Sequence, residues 1–223
     1  MPRPAPLSRR ALAEGLASAF LLAGVVGSGI MGERLAGGNA AVALLANSIA
    51  TGALLAVLIA AFAPLSGAHL NPVVTLVAAL RGELPAADSA AYVIAQCAGA
   101  LAGVAAAHAM FSLAPFAAGT HDRSGYAQVG SEFVATLGLL LTILACASRA
   151  RDLPYLVGAY IVAAYWFTGS TSFANPAVTL ARAATDTFAG IRPADVPGFV
   201  AAQLAGGAAA AALWRVLAPE ARP

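Results

Sequence analysis

The chain has 223 residues, 60% of them hydrophobic and 10% charged, with a mean hydropathy of +0.80. A soluble domain of this size does not carry so much apolar surface, so composition places the chain in a bilayer. The net charge of +2 comes from twelve arginines and no lysine; they lie between apolar stretches without runs or interleaved aromatics, which excludes a nucleic-acid-binding face.

Each membrane crossing needs about 20 apolar residues, because a helix rises about 1.5 Å per residue through a hydrocarbon core of roughly 30 Å. Arg9 and Arg10 precede an apolar stretch that begins at Ala11. A secretory leader has an apolar region of only about 7–15 residues, whereas this one continues to Met31 and reads as an uncleaved first span. Further spans are expected at 40–63, 90–111, 130–148, 155–168 and 196–218, the fifth of them short. Between the second and third, and between the fifth and sixth, lie the apolar pieces Asn71–Leu80 and Asn175–Ala184. Ten helical residues reach about 15 Å, so neither piece can span alone.

Cys97 and Cys146 both fall inside apolar stretches, without CxxC or Cys/His spacing, and read as packing residues rather than a disulfide, zinc or redox pair. No cofactor or metal is expected. With an even number of crossings, Arg3, Arg9, Arg10, Arg81, Arg149, Arg151, Arg215 and Arg222 share the face of the termini, against Arg34, Arg123, Arg182 and Arg192 on the other. Eight against four puts the termini in the cytoplasm. The segment 112–127, with Pro115, Gly119, His121, Asp122, Arg123 and Gly125, reads as a long external connection between two halves.

Those halves resemble each other. AEGLASAFLL (13–22) matches SEFVATLGLL (131–140), with Glu14 and Glu132 separated by 118 positions. LNPVVTL (70–76) matches ANPAVTL (174–180) at 104, and AQCAG (95–99) matches AQLAG (202–206) at 107. Each half has three spans, an odd number, so the second copy must be inverted in the membrane. An inverted repeat puts its functional site where the halves meet near the midplane. The expected unit is a single domain over 1–223, with repeats at about 10–111 and 128–218.

Asparagine is a favoured N-cap and proline is preorganised for the first helical turn, so Asn71-Pro72-Val73 and Asn175-Pro176-Ala177 both read as helix starts. A single Asn-Pro pair could open a surface helix after a turn; two pairs in register within an inverted repeat point to re-entrant half-helices whose tips meet at a constriction. The irregular approaches, 66–69 and 169–174, are tolerated at membrane depth only where they line a water-filled cavity or are buried in protein.

The double Asn-Pro motif, SGAHLNPVVTL, NPAVTL, the paired glutamates and the AQ…G segments make the chain resemble the aquaporin and glycerol-facilitator family over nearly its whole length. The resemblance implies an all-α membrane protein: a right-handed bundle of six transmembrane helices plus two re-entrant half-helices, assembled as a homotetramer with one pore per subunit. It implies that Asn71 and Asn175 donate to a passing solute, with helix N-termini raising the barrier to cations. Backbone carbonyls near His69 and Ser172 then supply acceptors, and His69 is itself a candidate pore-lining residue. Val73 stands where the family usually has alanine. Glu14 and Glu132, the only carboxylates deep in expected spans, are implied to brace the loops; a proton relay is the other role open to them. Gly99 with Gly103, and Gly206 with Ala210, allow close helix crossing. His108 reads as a bystander.

The family's outer filter maps by distance from the motifs onto Thr51, Ala163, Ser172 or Phe173, and Val178. Val178 occupies the place of the usual arginine, and Arg182, one helical turn further on, is a partial substitute if the helix end reorients. A wide, less polar filter predicts passage of water together with glycerol, urea or uncharged metalloids. Filters without that arginine are similar to those of bacterial aquaporins associated with arsenic resistance, so arsenite and methylarsenicals are expected cargo. The expected home is a bacterial inner membrane, with lipid as the surrounding partner. A secondary transporter with inverted repeats, or a non-conducting aquaporin-like structural protein, are the other readings. No nucleophile–base pair or phosphate-binding glycine loop points to an enzyme.

Overall fold

A computed structural model describes residues 5–218. Arg3 and Arg222, counted above among the arginines of the terminal face, lie outside the described residues. Among the described residues the chain runs through eight α-helices: α1 (Leu7–Leu35), α2 (Ala40–Ser66), α3 (Pro72–Leu80), α4 (Ala86–Met110), α5 (Tyr126–Cys146), α6 (Leu153–Phe167), α7 (Pro176–Arg182) and α8 (Val196–Leu217). No strand occurs among the described residues. By length and apolar composition α1, α2, α4, α5 and the stretch Pro193–Leu217 can each cross a membrane. The sixth long helix, α6, is shorter at 15 residues, with Pro154 in its first turn.

The helices outrun the apolar windows expected from sequence. α1 begins four residues before Ala11 and ends at Leu35, because interfacial polar residues such as Arg9, Arg10 and Arg34 continue a helix without belonging to its apolar core. Local signals end α2 at both sides. Asn39 accepts from the amides of Ala41 (3.0 Å) and Val42 (3.2 Å), and Gly67 terminates the helix at φ 90°, a left-handed conformation that glycine adopts without penalty.

Small residues set the helix spacing, as membrane helices require when the hydrophobic effect no longer drives them together. A Cβ on Gly99 would lie 2.0 Å from the Gly15 carbonyl oxygen, and one on Gly103 would lie 2.2 Å from that of Ala19, so α1 and α4 cross backbone to backbone. Gly206 does the same for α8 against α5, and Gly52 with Gly158 for α2 against α6. The crossing residues are therefore not exchangeable for alanine at fixed geometry.

Charged groups mark the two ends of the bundle. At the near end, Arg10 pairs with Asp88 at 2.6 Å and Arg81 with Glu83 at 2.7 Å. At the far end the segment 112–125 folds over the C-terminus of α7: Ala117 and Gly119 donate their amides to the carbonyls of Ala184 and Ala183, both at 3.0 Å. Arg192 joins Asp122 and Asp195 there. His108 is a structural tie rather than a bystander: it is buried, with Nδ1 2.6 Å from the Ala114 carbonyl and Nε2 2.6 Å from the Thr185 hydroxyl, linking α4 to the segment after α7.

Candidate conduction site

α3 and α7 both start on asparagine. Asn71 Oδ1 accepts from the Val73 amide at 2.9 Å, and Asn175 Oδ1 accepts from Ala177 at 2.9 Å and Val178 at 3.3 Å. Spending the oxygen on the helix start turns each amide nitrogen outward. Asn71 Nδ2 donates to the Ala174 carbonyl at 2.8 Å, and Asn175 Nδ2 donates to the Leu70 carbonyl at 2.7 Å. Each half-helix tip is thus fastened to the segment that leads into the other. An asparagine amide carries two N–H groups, and one of each is used in this exchange.

The approach segments are strained. Ala68 and Leu70 have φ of 50°, and Thr171, Ser172 and Ala174 have φ of 61°, 51° and 49°. Non-glycine residues resist this left-handed region by about 1–2 kcal/mol each, so something must hold them. Glu14 does so in the first half. Its Oε1 accepts from Ser66 Oγ (2.6 Å) and the His69 amide (3.0 Å), and its Oε2 from the Leu70 amide (2.7 Å) and Gln96 Nε2 (2.8 Å). Glu132 makes the corresponding four bonds to Ser170 Oγ, Phe173 N, Ala174 N and Gln203 Nε2, at 2.6–2.9 Å. Both carboxylates are fully buried and their charge is met by four donors each. Because a trans peptide points its C=O opposite its N–H, drawing the amides of His69 and Leu70 to Glu14 turns the carbonyls of Ala68 and His69 away from it. The same argument applies to Ser172 and Phe173 opposite Glu132.

Those carbonyl-bearing residues line a cavity of about 210 Å³ that extends from Arg81 and Glu83 at the near end, past Asn71 and Asn175, to Arg182 at the far end. One wall is apolar, built by Leu21, Val25, Leu139, Leu140, Val157 and Ile161. The facing strip carries the two asparagines, His69 and Ser172. His69 also holds Thr75 Oγ1 at 3.1 Å from its Nδ1. A passage with one greasy and one hydrogen-bonding side suits an uncharged solute that can lose water without losing its polar partners.

Thr51, Ser172, Phe173 and Val178 all reach this cavity. Ala163 does not: it is exposed on the outside of α6, whose inward face is Val157, Ile161 and Tyr165 at helical spacing. Counting back from Asn175 crosses the irregular stretch 168–175, where residue number carries no helical phase, and this displaced the assignment. Tyr165 takes the place in the wall, its hydroxyl 3.4 Å from Thr51 Oγ1. Val73 packs against α8 instead of the cavity, in the space left by Gly207. Sequence reasoning also passed over Gln96 and Gln203, although both stand in the matched AQCAG and AQLAG segments; each bridges its glutamate to the hydroxyl of Thr75 or Thr179, at 3.0 and 2.8 Å.

Comparison with known proteins follows the same outline. The family model described as Major intrinsic protein matches residues 3–171. Aquaglyceroporin AqpS of Rhizobium meliloti is 58% identical over 218 residues, 97% of this chain and 93% of the relative. Aquaporin NIP1-4 of Oryza sativa subsp. japonica is 33% identical over 82% of this chain and 68% of its own. The X-ray structure of the aquaglyceroporin from Plasmodium falciparum superposes with a TM-score of 0.79, covering 96% of this chain and 98% of that one at 20% identity, a likeness of fold.

Proposed function

Because the chain belongs to the major intrinsic protein family, we propose that it is a passive membrane channel that conducts water together with larger uncharged solutes such as glycerol, urea, arsenite and methylarsenicals. The family's members are channels rather than enzymes. The observation that carries the reading is the exchange of bonds between Asn71 and Asn175, which holds two half-helix tips together inside one cavity.

In this reading the free amide N–H groups of Asn71 and Asn175 donate to the solute, and the carbonyls of residues 68–69 and 172–173 accept from it. The tips of α3 and α7 face the same place, and their partial positive charge opposes cations and a proton wire. Glu14 and Glu132 brace the approaches, with every carboxylate oxygen already accepting two bonds. Neither is free to couple flux to protons, so a transporter mechanism lacks its ion site. The outer constriction is formed by Thr51, Ser172, Phe173 and Val178 with Tyr165, and Val178 removes the fixed charge that would otherwise narrow it.

The far end is external and the termini cytoplasmic, as the distribution of arginines suggests. One channel unit holds the two inverted repeats, and the exposed apolar helix faces meet lipid or three further copies in a homotetramer of a bacterial inner membrane. The test is a panel of fluxes in proteoliposomes. Water and glycerol should both equilibrate faster than in empty vesicles, without saturation and without response to a proton gradient; arsenite and methylarsenite uptake should rise with them. Flux that saturates and follows the proton gradient would overturn the channel reading.

A further inference from the structure

The far wall of the passage rests on a segment with no helix of its own, residues 183–191 between α7 and the approach to α8. Phe173, which lines the cavity, packs with Ile191 and Phe199 in one buried cluster, T-shaped to Phe199 at 5.2 Å. The Arg123 guanidinium lies 5.0 Å from the same ring, and its Nε donates to the Gly190 carbonyl at 2.9 Å. Whatever sets the path of 183–191 therefore sets the Phe173 ring. Among the described residues, one hydrogen bond joins a spanning helix to this segment, that between His108 in the last turn of α4 and Thr185. Both side chains are buried. The direction of the bonds follows from the partners. The Ala114 carbonyl, 2.6 Å from Nδ1, can only accept, so Nδ1 carries the proton and the neutral ring presents a bare Nε2. Nε2 then accepts from the Thr185 hydroxyl at 2.6 Å, and Thr185 Oγ1 accepts in turn from the Thr187 hydroxyl at 3.0 Å. That last bond closes the turn in which the Gly190 amide donates to the Thr187 carbonyl at 2.7 Å.

We propose that His108 is a positioning residue for conduction: through Thr185 and Thr187 it fixes the turn behind Phe173, and with it the opening left to solutes larger than water. The proposal rests on the channel reading. One imidazole supplies a donor at Nδ1 and an acceptor at Nε2, so a single side chain ties residue 114 and residue 185 to the end of α4. Backbone crowds Thr185 from two sides: a Cβ on Gly190 would lie 2.5 Å from the Thr185 carbonyl oxygen, and one on Gly119 would lie 3.0 Å from it. A close-packed site transmits a displacement instead of absorbing it. The hydroxyl chain thus hands the position of α4 on to Gly190 and Ile191, which hold Arg123 and Phe173. Glycerol needs more of the opening than water does, so loss of the tie reads out as a fall in the glycerol-to-water flux ratio.

The experiment compares the full-length protein with His108→Leu, His108→Gln, Thr185→Val, Thr185→Ser and Thr187→Val in proteoliposomes, reading water and glycerol flux per folded channel. Thr185→Val keeps the side-chain shape and removes the hydroxyl; it and His108→Leu should lower the glycerol-to-water ratio roughly threefold to tenfold, the range that one buried hydrogen bond commands. His108→Gln offers an amide N–H to Ala114 and an amide oxygen to Thr185, and Thr185→Ser keeps the hydroxyl, so both should restore the ratio to within about twofold of wild type. A purely structural role would lower the folded fraction and leave the ratio per channel where it is. Thr187 is only half-buried, so Thr187→Val carries the test even if the buried variants fail to assemble; its ratio should fall at least about twofold. An unchanged ratio in Thr185→Val or Thr187→Val, or an equal fall in His108→Gln and His108→Leu, overturns the proposal. A wild type that passes neither water nor glycerol overturns the channel reading beneath it.

Discussion

Val73 and Gly207 are a fitted pair: a Cβ placed on Gly207 would lie 2.2 Å from Val73 Cγ1. Valine is stiff at χ1, so the side chain cannot swing aside. Gly207→Ala should therefore destabilise the protein by about 1–3 kcal/mol through overpacking. Val73→Ala in the same chain should recover most of that loss, a coupling that distant sites do not show. Thermal unfolding of the two single variants and the double in detergent closes the cycle.

Glu14 and Glu132 each accept four bonds. Glutamine at either position has one accepting oxygen and presents an amide to donors, leaving two of the four unmet. Glu14→Gln or Glu132→Gln should cost about 3 kcal/mol, which lowers Tm by roughly 6–12 °C for a chain of this length. Solute flux in whatever folds should fall without acquiring a pH dependence; a flux that becomes pH-dependent would indicate a proton-relay role instead.

The far-end seal depends on carboxylates that titrate low. The Thr120 hydroxyl, at 2.7 Å, holds Asp186 below the ordinary carboxylate range with help from the Thr120 amide, and Ser124 together with Arg192 does the same for Asp122. A carboxylate whose folded pKa is depressed contributes stability above its unfolded value and loses it as pH falls through the folded one. Amide protection at Thr120 and Ser124 should thus be constant from neutral pH to about 4 and decline below it. Asp186→Asn should remove the decline at Thr120.

The six long helices and the half-helix starts are legible in the sequence because their signals are local: apolar length for the first, Asn-Pro for the second. The positions of Glu14 and Glu132 are legible too, through the matched segments. Their amide partners Gln96 and Gln203 stand in those same segments, but glutamine is compatible with so many roles that only contact with the carboxylates distinguishes them. Tyr165 was hidden because helical phase does not survive the irregular stretch before Asn175, and a two-residue error moves a helical position to the opposite side. The setting of Arg182 depends on the path of residues 183–191, which has no periodicity to read. His108 binds a segment distant in the chain, an arrangement that single-residue inspection does not reveal.

Flux through a plugged lumen tests the central claim most directly. Val178 is 6% exposed and lines the cavity, whereas Ala163, on the neighbouring helix, faces outward. Val178→Trp should abolish water and glycerol conduction together while the helical circular dichroism stays that of the wild type, and Ala163→Trp should conduct normally. Undiminished flux in Val178→Trp, or a block only in Ala163→Trp, would contradict a passage running between the tips of the two half-helices.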